Sequence, residues 1–225
     1  MENPEFELSG TALKKYKGKG GVVRVPDGVT AIAYQSIFWR SDITEIILPC
    51  SVRSIDTEGI VGCDHLKKIN LPSGITALGG NALRYAAIEE LEIPDTVTHM
   101  GYAALGGCKN LKALTLPKGI NVVEARLLAE CRSLGEVQIP EGVTRICRGA
   151  FTGTALESVV IPDKVESIAS GAFEYCTQLT LIEIPASVSY IGNSVFRDCP
   201  VTVRTTAGSY AETYAAEHGI PVVHI

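Results

Sequence analysis

The stretch Ile161-Pro162-Asp163-Lys164-Val165-Glu166-Ser167-Ile168-Ala169-Ser170-Gly171-Ala172-Phe173-Glu174-Tyr175-Cys176-Thr177-Gln178-Leu179-Thr180-Leu181-Ile182-Glu183-Ile184-Pro185 runs from one proline to the next. Its pattern recurs along most of the chain. Pro26, Pro49, Pro72, Pro94, Pro117, Pro140, Pro162 and Pro185 are separated by 23, 23, 22, 23, 23, 22 and 23 residues. Self-similarity at a period of roughly 20–50 residues marks stacked repeats. Three residues before each proline stands Val, Ile or Leu, as in Val23, Leu114 and Ile182, and one residue before stands another, as in Val25, Leu116 and Ile184. Apolar positions flanking a variable one form the period-2 pattern of a strand with one buried face. Proline lacks an N–H, so each strand ends there and the chain turns.

Three further apolar columns follow each proline. Three residues on come Val29, Val52 and their equivalents; six on come Ile32, Ile55, Leu78 and Met100; eleven on come Ile37, Ile60, Leu83, Leu105, Leu128, Phe151, Phe173 and Phe196. The last column lies in stretches such as RGAFTGT and SGAFEYC, too short for more than one helical turn. Each unit therefore reads as strand, turn, apolar crossing, single turn of helix and return. One unit cannot bury its own apolar face; stacking on neighbours closes a shared core. The expectation is an α/β solenoid with a parallel sheet of about eight short strands, single helical turns or loops opposite, and caps at both ends.

Leu66-Lys-Lys-Ile69-Asn-Leu71 and Leu111-Lys-Ala-Leu114-Thr-Leu116 fit half of a leucine-rich repeat, L-x-x-L-x-L. Where the common repeat continues with Asn or Cys, this chain has Gly74, Thr96, Gly119 and Gly142. With that departure the full unit resembles the BspA-type (Treponema pallidum-type) leucine-rich repeat of bacterial surface and secreted proteins, over residues 22–199. The resemblance implies a right-handed leucine-rich-repeat solenoid and, for function, adhesins, host-binding proteins or modules of no assigned role.

On this reading residues 1–21 form an N-terminal cap, 22–199 the solenoid and 200–225 a C-terminal cap, within one structural domain. Lys14, Lys15, Lys17, Lys19 and Arg24 crowd the first cap as a solvated basic face. In the second, strand 201–204, helix 209–218 and strand 220–224 are expected. Ser209-Tyr-Ala-Glu212 is a capping box, Tyr210 and Tyr214 share a helical face, and Gly219 before Pro221 ends the helix.

The whole-chain arithmetic agrees. Of 225 residues 46% are hydrophobic, 20% charged and 6% aromatic, which excludes wholesale disorder and collagen. Net charge −5 argues against nucleic acid or an anionic membrane as partner. No apolar run approaches the ~18–20 residues of a membrane-spanning helix. The opening MENPEFELSG has no apolar core of a secretory signal, there is no N-x-[ST], and the cysteine count is odd; these fit a reducing cytosol, whereas the resemblance implies export or the cell surface.

Fourteen residues after the prolines stand Arg40, Cys63, Ala86, Cys108, Cys131, Thr154, Cys176 and Cys199; Cys gives way to Ala86 and Thr154 in the two shorter repeats. Stacking would bring Cys108 beside Cys131 and Cys176 beside Cys199, within Cα range of a disulfide but with parallel side chains too far apart at Cβ. A ladder of buried reduced thiols is the expectation. Cys50 and Cys147 lie outside it, and the sequence leaves open which is reactive. No Cys-x-x-Cys or His spacing supports zinc, and no phosphate-binding or nucleophile motif is present. Neither metal, cofactor nor catalytic constellation is expected.

Positions two and four before each proline face outward from the sheet. They supply Arg24, Ile47, Lys68, Glu90, Glu92, Glu136, Gln138, Val160 and Glu183 as the candidate interaction surface, mixed and mildly acidic. A ridge bearing Arg53, His99, Arg145 and Tyr190 is a second candidate. The expected role is a monomeric, non-enzymatic module that offers a rigid repeat surface to a protein or glycan; the alternative is a structural spacer or self-associating element.

Overall fold

A computed structural model describes residues 4–225. The repeats stack as coils of a solenoid, and each coil begins at one of the eight prolines. The strands before the prolines pair in parallel: Gly21–Arg24, Ile43–Ile47 and Lys68–Ile69 in one group, Ala113–Thr115 and Glu136–Gln138 in a second, Ser158–Val160 and Leu181–Ile184 in a third, which the C-terminal strands Thr202–Thr205 and Val222–His224 extend. Equivalent residues face one another, as in Val23 with Ile46 and Ile69, or Val159 with Ile182 and Val203.

The gaps in this sheet fall at the two 22-residue repeats. In four of the longer repeats the corner closes with a turn in which the N–H of Leu66, Leu111, Leu134 or Leu179 donates to the carbonyl of Cys63, Cys108, Cys131 or Cys176, at 3.0 to 3.2 Å. One residue fewer separates Ala86 from Ile88 and Thr154 from Leu156, so that turn cannot form. After the first of these corners, Glu90 makes only a single bridge to Ala113.

The stretch expected to be an apolar crossing is a second parallel sheet. Its strands are two residues long, from Ala31–Ile32, Ser54–Ile55, Ala77–Leu78 and His99–Met100 to Val122–Val123, Arg145–Ile146, Ser167–Ile168 and Tyr190–Ile191. The second residue of each is buried, and the strands pair in two groups, Ala31–Ile32 to His99–Met100 and Val122–Val123 to Tyr190–Ile191, within which these buried residues align. Two residues are too few for period-2 alternation to show in a sequence.

Opposite the first sheet the chain does not form helical turns; it takes the loop alternative. Nine residues after the proline the backbone is left-handed in every coil, from Gln35 (φ 53°) through Asn81 (φ 54°) to Ser194 (φ 56°). Thirteen after, it is left-handed again, from Trp39 (φ 50°) and Gly62 (φ 73°) to Asp198 (φ 58°). A right-handed helix cannot pass through such residues. Their N–H groups reach the next coil instead: Phe151 N–H donates to the Ala172 carbonyl at 2.8 Å and Gly153 N–H to the Glu174 carbonyl at 2.9 Å. The solenoid is thus stitched coil to coil on all three sides.

The interior is a set of ladders. Phe151, Phe173 and Phe196 stack with ring centroids 5.1 and 6.0 Å apart, and Tyr214 of the terminal helix closes the column edge-on at 6.2 Å. The buried cysteines are free thiols. Each donates to the preceding coil: Cys108 Sγ to the Leu83 carbonyl at 3.3 Å, Cys131 to Leu105 at 3.2 Å, Cys176 to Phe151 at 3.1 Å. The thiol gives the corner carbonyl a second hydrogen bond, which Ala86 and Thr154 do not supply in the same way.

Both ends are covered. The hairpin Phe6–Ser9 with Ala12–Tyr16 places Leu13 opposite Ile32 in the second sheet, fully buried. At the other end the helix Tyr210–Glu217 is capped by Ser209 Oγ, which accepts from Glu212 N–H at 3.2 Å. The Glu212 carboxylate accepts from Gly208 N–H rather than from Ser209, and only Tyr214 of the expected tyrosine pair is buried; Tyr210 is exposed.

Candidate interaction surface

The outward residues of the first sheet sit where strand register puts them. Arg24 faces Ile47 across adjacent strands, and Lys68 faces Glu45. Glu90 bridges beside Ala113, which pairs with Glu136; Gln138 pairs with Thr115; Val160 pairs with Glu183, and Glu183 with Arg204. Ile47 and Glu183 are half-buried, and the other seven, Glu92 among them, are exposed. The shorter repeats divide these residues into three groups: Arg24, Ile47 and Lys68; then Glu90, Glu92, Glu136 and Gln138; then Val160 and Glu183. The first and second groups are not joined into one continuous ladder.

Charges on this side and its margin are paired between coils. Arg204 lies 3.5 Å from Glu183, Lys112 lies 2.8 Å from Glu89, and Lys118 lies 3.1 Å from Asp95. The hydrogen bond from Lys112 holds the Glu89 carboxyl below the usual carboxylate range, and Lys118, through its backbone and side chain, does the same for Asp95. Asn70 rungs the sheet: its Oδ1 accepts from Leu48 N–H at 2.7 Å and its Nδ2 donates to the Leu48 carbonyl at 2.9 Å. The second candidate ridge is the rim of the second sheet. Its His99, Arg145 and Tyr190 lie on strands two residues long, while the Arg53 guanidinium turns back to donate to the Cys50 carbonyl at 2.8 Å.

The residues the sequence reading passed over are on the turn face. Tyr34, Phe38, Trp39 and Tyr102 are 60%, 42%, 58% and 48% exposed, unlike the buried Phe151, Phe173 and Phe196. Trp39 meets Tyr85 with ring centroids 6.0 Å apart, and Phe38 stands edge-on to Trp39 at 6.2 Å. The Arg84 guanidinium lies 4.6 Å from the centre of the Tyr85 ring. A signal was available. Thirteen residues after the prolines the sequence reads Trp39, Gly62, Tyr85, Gly107, Glu130, Gly153, Tyr175, Asp198, so that bulky and absent side chains alternate through coil 6. The rings lie across the glycines: a Cβ on Gly62 would fall 2.5 Å from the Trp39 ring, and one on Gly107 2.4 Å from that of Tyr85.

Concavities are shallow. An open groove of about 730 Å³ separates the last coil from the terminal helix and is lined by Phe196, Cys199, Tyr214 and His218. A second of about 480 Å³ lies at the shortened corner of coil 6, between Glu130, Arg132 and Tyr175. Among the described residues no group of three or more His, Cys, Asp or Glu could hold a metal ion, and no helix is long and apolar enough to cross a membrane.

Residues 30–155 and 145–213 match the family model described as the BspA type leucine rich repeat region, in six copies. No curated protein matches the chain. Among solved structures it is similar to a leucine rich cell surface protein from Faecalibacterium prausnitzii, with TM-score 0.70 and 22% identity over 90% of this chain and 75% of that one. It is similar also to the Treponema pallidum leucine rich repeat protein, with TM-score 0.62 and 24% identity over 89% of each chain. The pneumococcal vaccine antigen PcpA aligns with TM-score 0.52 and 12% identity over 100% of this chain and 98% of that one. These likenesses are of fold.

Proposed function

Because the chain belongs to the BspA-type leucine-rich repeat family, whose fold is typical of protein–protein interaction modules, we propose that it is a non-enzymatic recognition module that binds a macromolecular partner through its first sheet. The observation that carries this reading is the register. Strands locked by parallel pairing hold Arg24, Lys68, Glu136, Gln138 and Glu183 in fixed rows, so little backbone freedom is lost on binding. The outward rows are mixed, mostly polar with Ile47, Val160 and Leu181 as apolar positions, and free of aromatic anchors, which suits a protein partner of complementary charge held by many modest contacts. A catalytic role has no support in this geometry: Glu90 and Glu92 stand exposed at the break in the first sheet, outside any enclosed cleft. Description of the F. prausnitzii neighbour as a cell surface protein supports a partner outside the cell.

Reversing Glu90, Glu92 and Gln138 together to Lys tests the reading. Partners are captured on the immobilised parent protein from host and bacterial lysates, then titrated against both proteins. A single saturable partner, lost in the triple variant with an unchanged circular dichroism spectrum, is the expected result. An equal affinity for both proteins moves the site off this sheet. Mass that grows with concentration and no captured partner would favour the spacer instead.

A further inference from the structure

We infer that Cys176 and Cys199 form a redox-active dithiol at the C-terminal end of the solenoid, separate from the first sheet, which a hydroperoxide reaches through the adjoining groove and converts to a disulfide. Three observations carry this assignment. The first is access. Cys108, Cys131 and Cys176 are fully buried, whereas Cys199 of the last coil is only half-buried. Cys199 lines the open groove between that coil and the terminal helix, with Phe196, Arg197, Pro200, Tyr214 and His218 around it. Both members of the other stacked pair, Cys108 and Cys131, are sealed in the core.

The second observation is a released corner. At Cys63, Cys108, Cys131 and Cys176 a leucine three residues on donates its N–H to the cysteine carbonyl and pins the turn. Cys199 is followed by Pro200, which has no N–H, and the residue three on, Thr202, donates to the Thr180 carbonyl at 2.9 Å instead. Stacked Cα atoms ~4.8 Å apart lie within disulfide range, and a Cβ separation of about 4.5 Å or less completes the geometry. Two pinned corners hold parallel side chains just beyond that limit. A corner pinned on one side only supplies the remaining movement.

The third is the chemistry of the column. Thr154 Oγ1 lies 3.2 Å from Cys176 Sγ, so Thr154, Cys176 and Cys199 make a polar file through coils 6, 7 and 8 that ends at the groove. Hydrogen bonds from the Cys199 thiol and then from Thr154 hold the Cys176 thiol below its ordinary value despite burial, and the same bond to Cys176 pushes Cys199 up. The pair therefore gives up one proton readily and shares the other. Burial instead pushes both Cys108 and Cys131 up.

With the shared proton on Cys176, the thiolate stands at the groove. Cys199 Sγ attacks the terminal oxygen of the hydroperoxide, the O–O bond breaks, and the departing oxygen takes a proton from solvent and leaves as an alcohol or water; Cys199 becomes a sulfenic acid. Cys176 Sγ then attacks Cys199 Sγ, the S–O bond breaks, and the Cys176 proton leaves with the hydroxide as water. Two thiols lose two electrons and one peroxide gains them. The new bond joins the last coil covalently to the one before it.

Cys50→Ser protein, which lacks the exposed thiol, is reduced, desalted and held in millimolar hydrogen peroxide. It is then alkylated in denaturant, and its peptides are mapped without reduction. The expected product has lost two hydrogens, carries a peptide pair joined through Cys176 and Cys199, and is restored by dithiothreitol. Its bond should form at least about tenfold faster than any between Cys108 and Cys131, which have no exposed thiol. Adding Cys176→Ser should leave the Cys199 sulfenic acid to be trapped by dimedone, and adding Cys199→Ser should give neither bond nor adduct. Where either serine variant does not fold, the map and rates of the Cys50→Ser protein decide. Three results would overturn the assignment: both cysteines still alkylated as thiols after peroxide, Cys199 carried on to sulfinic acid beside a free Cys176, or an equal rate of bonding between Cys108 and Cys131.

Discussion

Replacing Phe173 with Ala removes the middle ring of the interior column. The side chain is fully buried, with Phe151 stacked at 5.1 Å on one side and Phe196 at 6.0 Å on the other. Loss of its burial costs about 1.5–3 kcal/mol, and loss of two ring pairs adds about 0.5–1.5 kcal/mol each. The sum agrees with the ~3–5 kcal/mol measured for Phe to Ala in other cores. Coil-to-coil hydrogen bonds fix the walls, so the cavity cannot collapse and the upper part of that range is expected. Phe173→Leu should cost far less, since Leu105 and Leu128 fill the same column in coils 4 and 5. Phe38→Ala, on the turn face, serves as the exposed control and should fall within about 0.5 kcal/mol of the parent. Urea unfolding followed by far-ultraviolet circular dichroism gives the three midpoints. A Phe173→Ala loss below about 1 kcal/mol, or a Phe173→Leu loss as large as the Ala one, would refute a continuous packed column. Because the backbone of each coil pairs only with its neighbours, a broadened transition is the further mark of the Ala variant.

Other expectations follow from the ends, the corners and the thiols. The hydrogen bonds from Lys17 and Lys14, at 2.7 and 3.0 Å, hold the Glu7 carboxyl down at about 2. That value lies below the ~4.3 of an unfolded Glu, so the contribution is complete above pH ~4.3 and is lost as pH falls toward 2. Amide exchange at Leu13 should quicken over that window, and Glu7→Gln should abolish the pH dependence; an unchanged profile would exclude the pair as a clamp. Gly62→Ala forces an alanine into φ 73° and pushes its methyl into the Trp39 ring. A cost of about 1–2 kcal/mol with a shifted Trp39 emission is expected, and an unshifted spectrum would show that the ring does not rest on Gly62. Burial pushes the Cys63 thiol up to about 11, that of Cys108 up to about 12, and Cys131 well above its ordinary value, whereas Cys50 is exposed. Native protein should therefore show DTNB reaction at Cys50, with Cys63, Cys108 and Cys131 silent until denaturant is added. Intact mass matching the fully reduced chain is the companion result, and a deficit of hydrogens would overturn the thiol ladder.

Much of the architecture lies open in one dimension because the period repeats eight times. The prolines mark where each strand stops, the residues one and three before them mark its buried side, and the column ending in Phe151, Phe173 and Phe196 marks the interior of the opposite wall. Side-chain direction on a strand alternates, so Arg24, Lys68, Glu90 and Gln138 could be assigned to one outer face from offsets alone. The aromatic platform was harder to see. Trp39 and Tyr85 are two repeats apart, and their meeting depends on Gly62 and on a left-handed backbone that no apolar periodicity reports.

Composition and spacing alone determined that this polypeptide winds as stacked coils with a parallel sheet, since only stacking buries five apolar columns that no single repeat can cover. Three features needed the folded chain. The second sheet is two residues deep, below the length at which alternation can be recognised. The opposite wall consists of left-handed turns rather than helix, because coil-to-coil hydrogen bonds outweigh a local helical turn. The break in the first sheet and the seat of Trp39 depend on how one coil meets the next, and those contacts arise only when residues a full repeat, about 22, apart in sequence are brought within van der Waals reach.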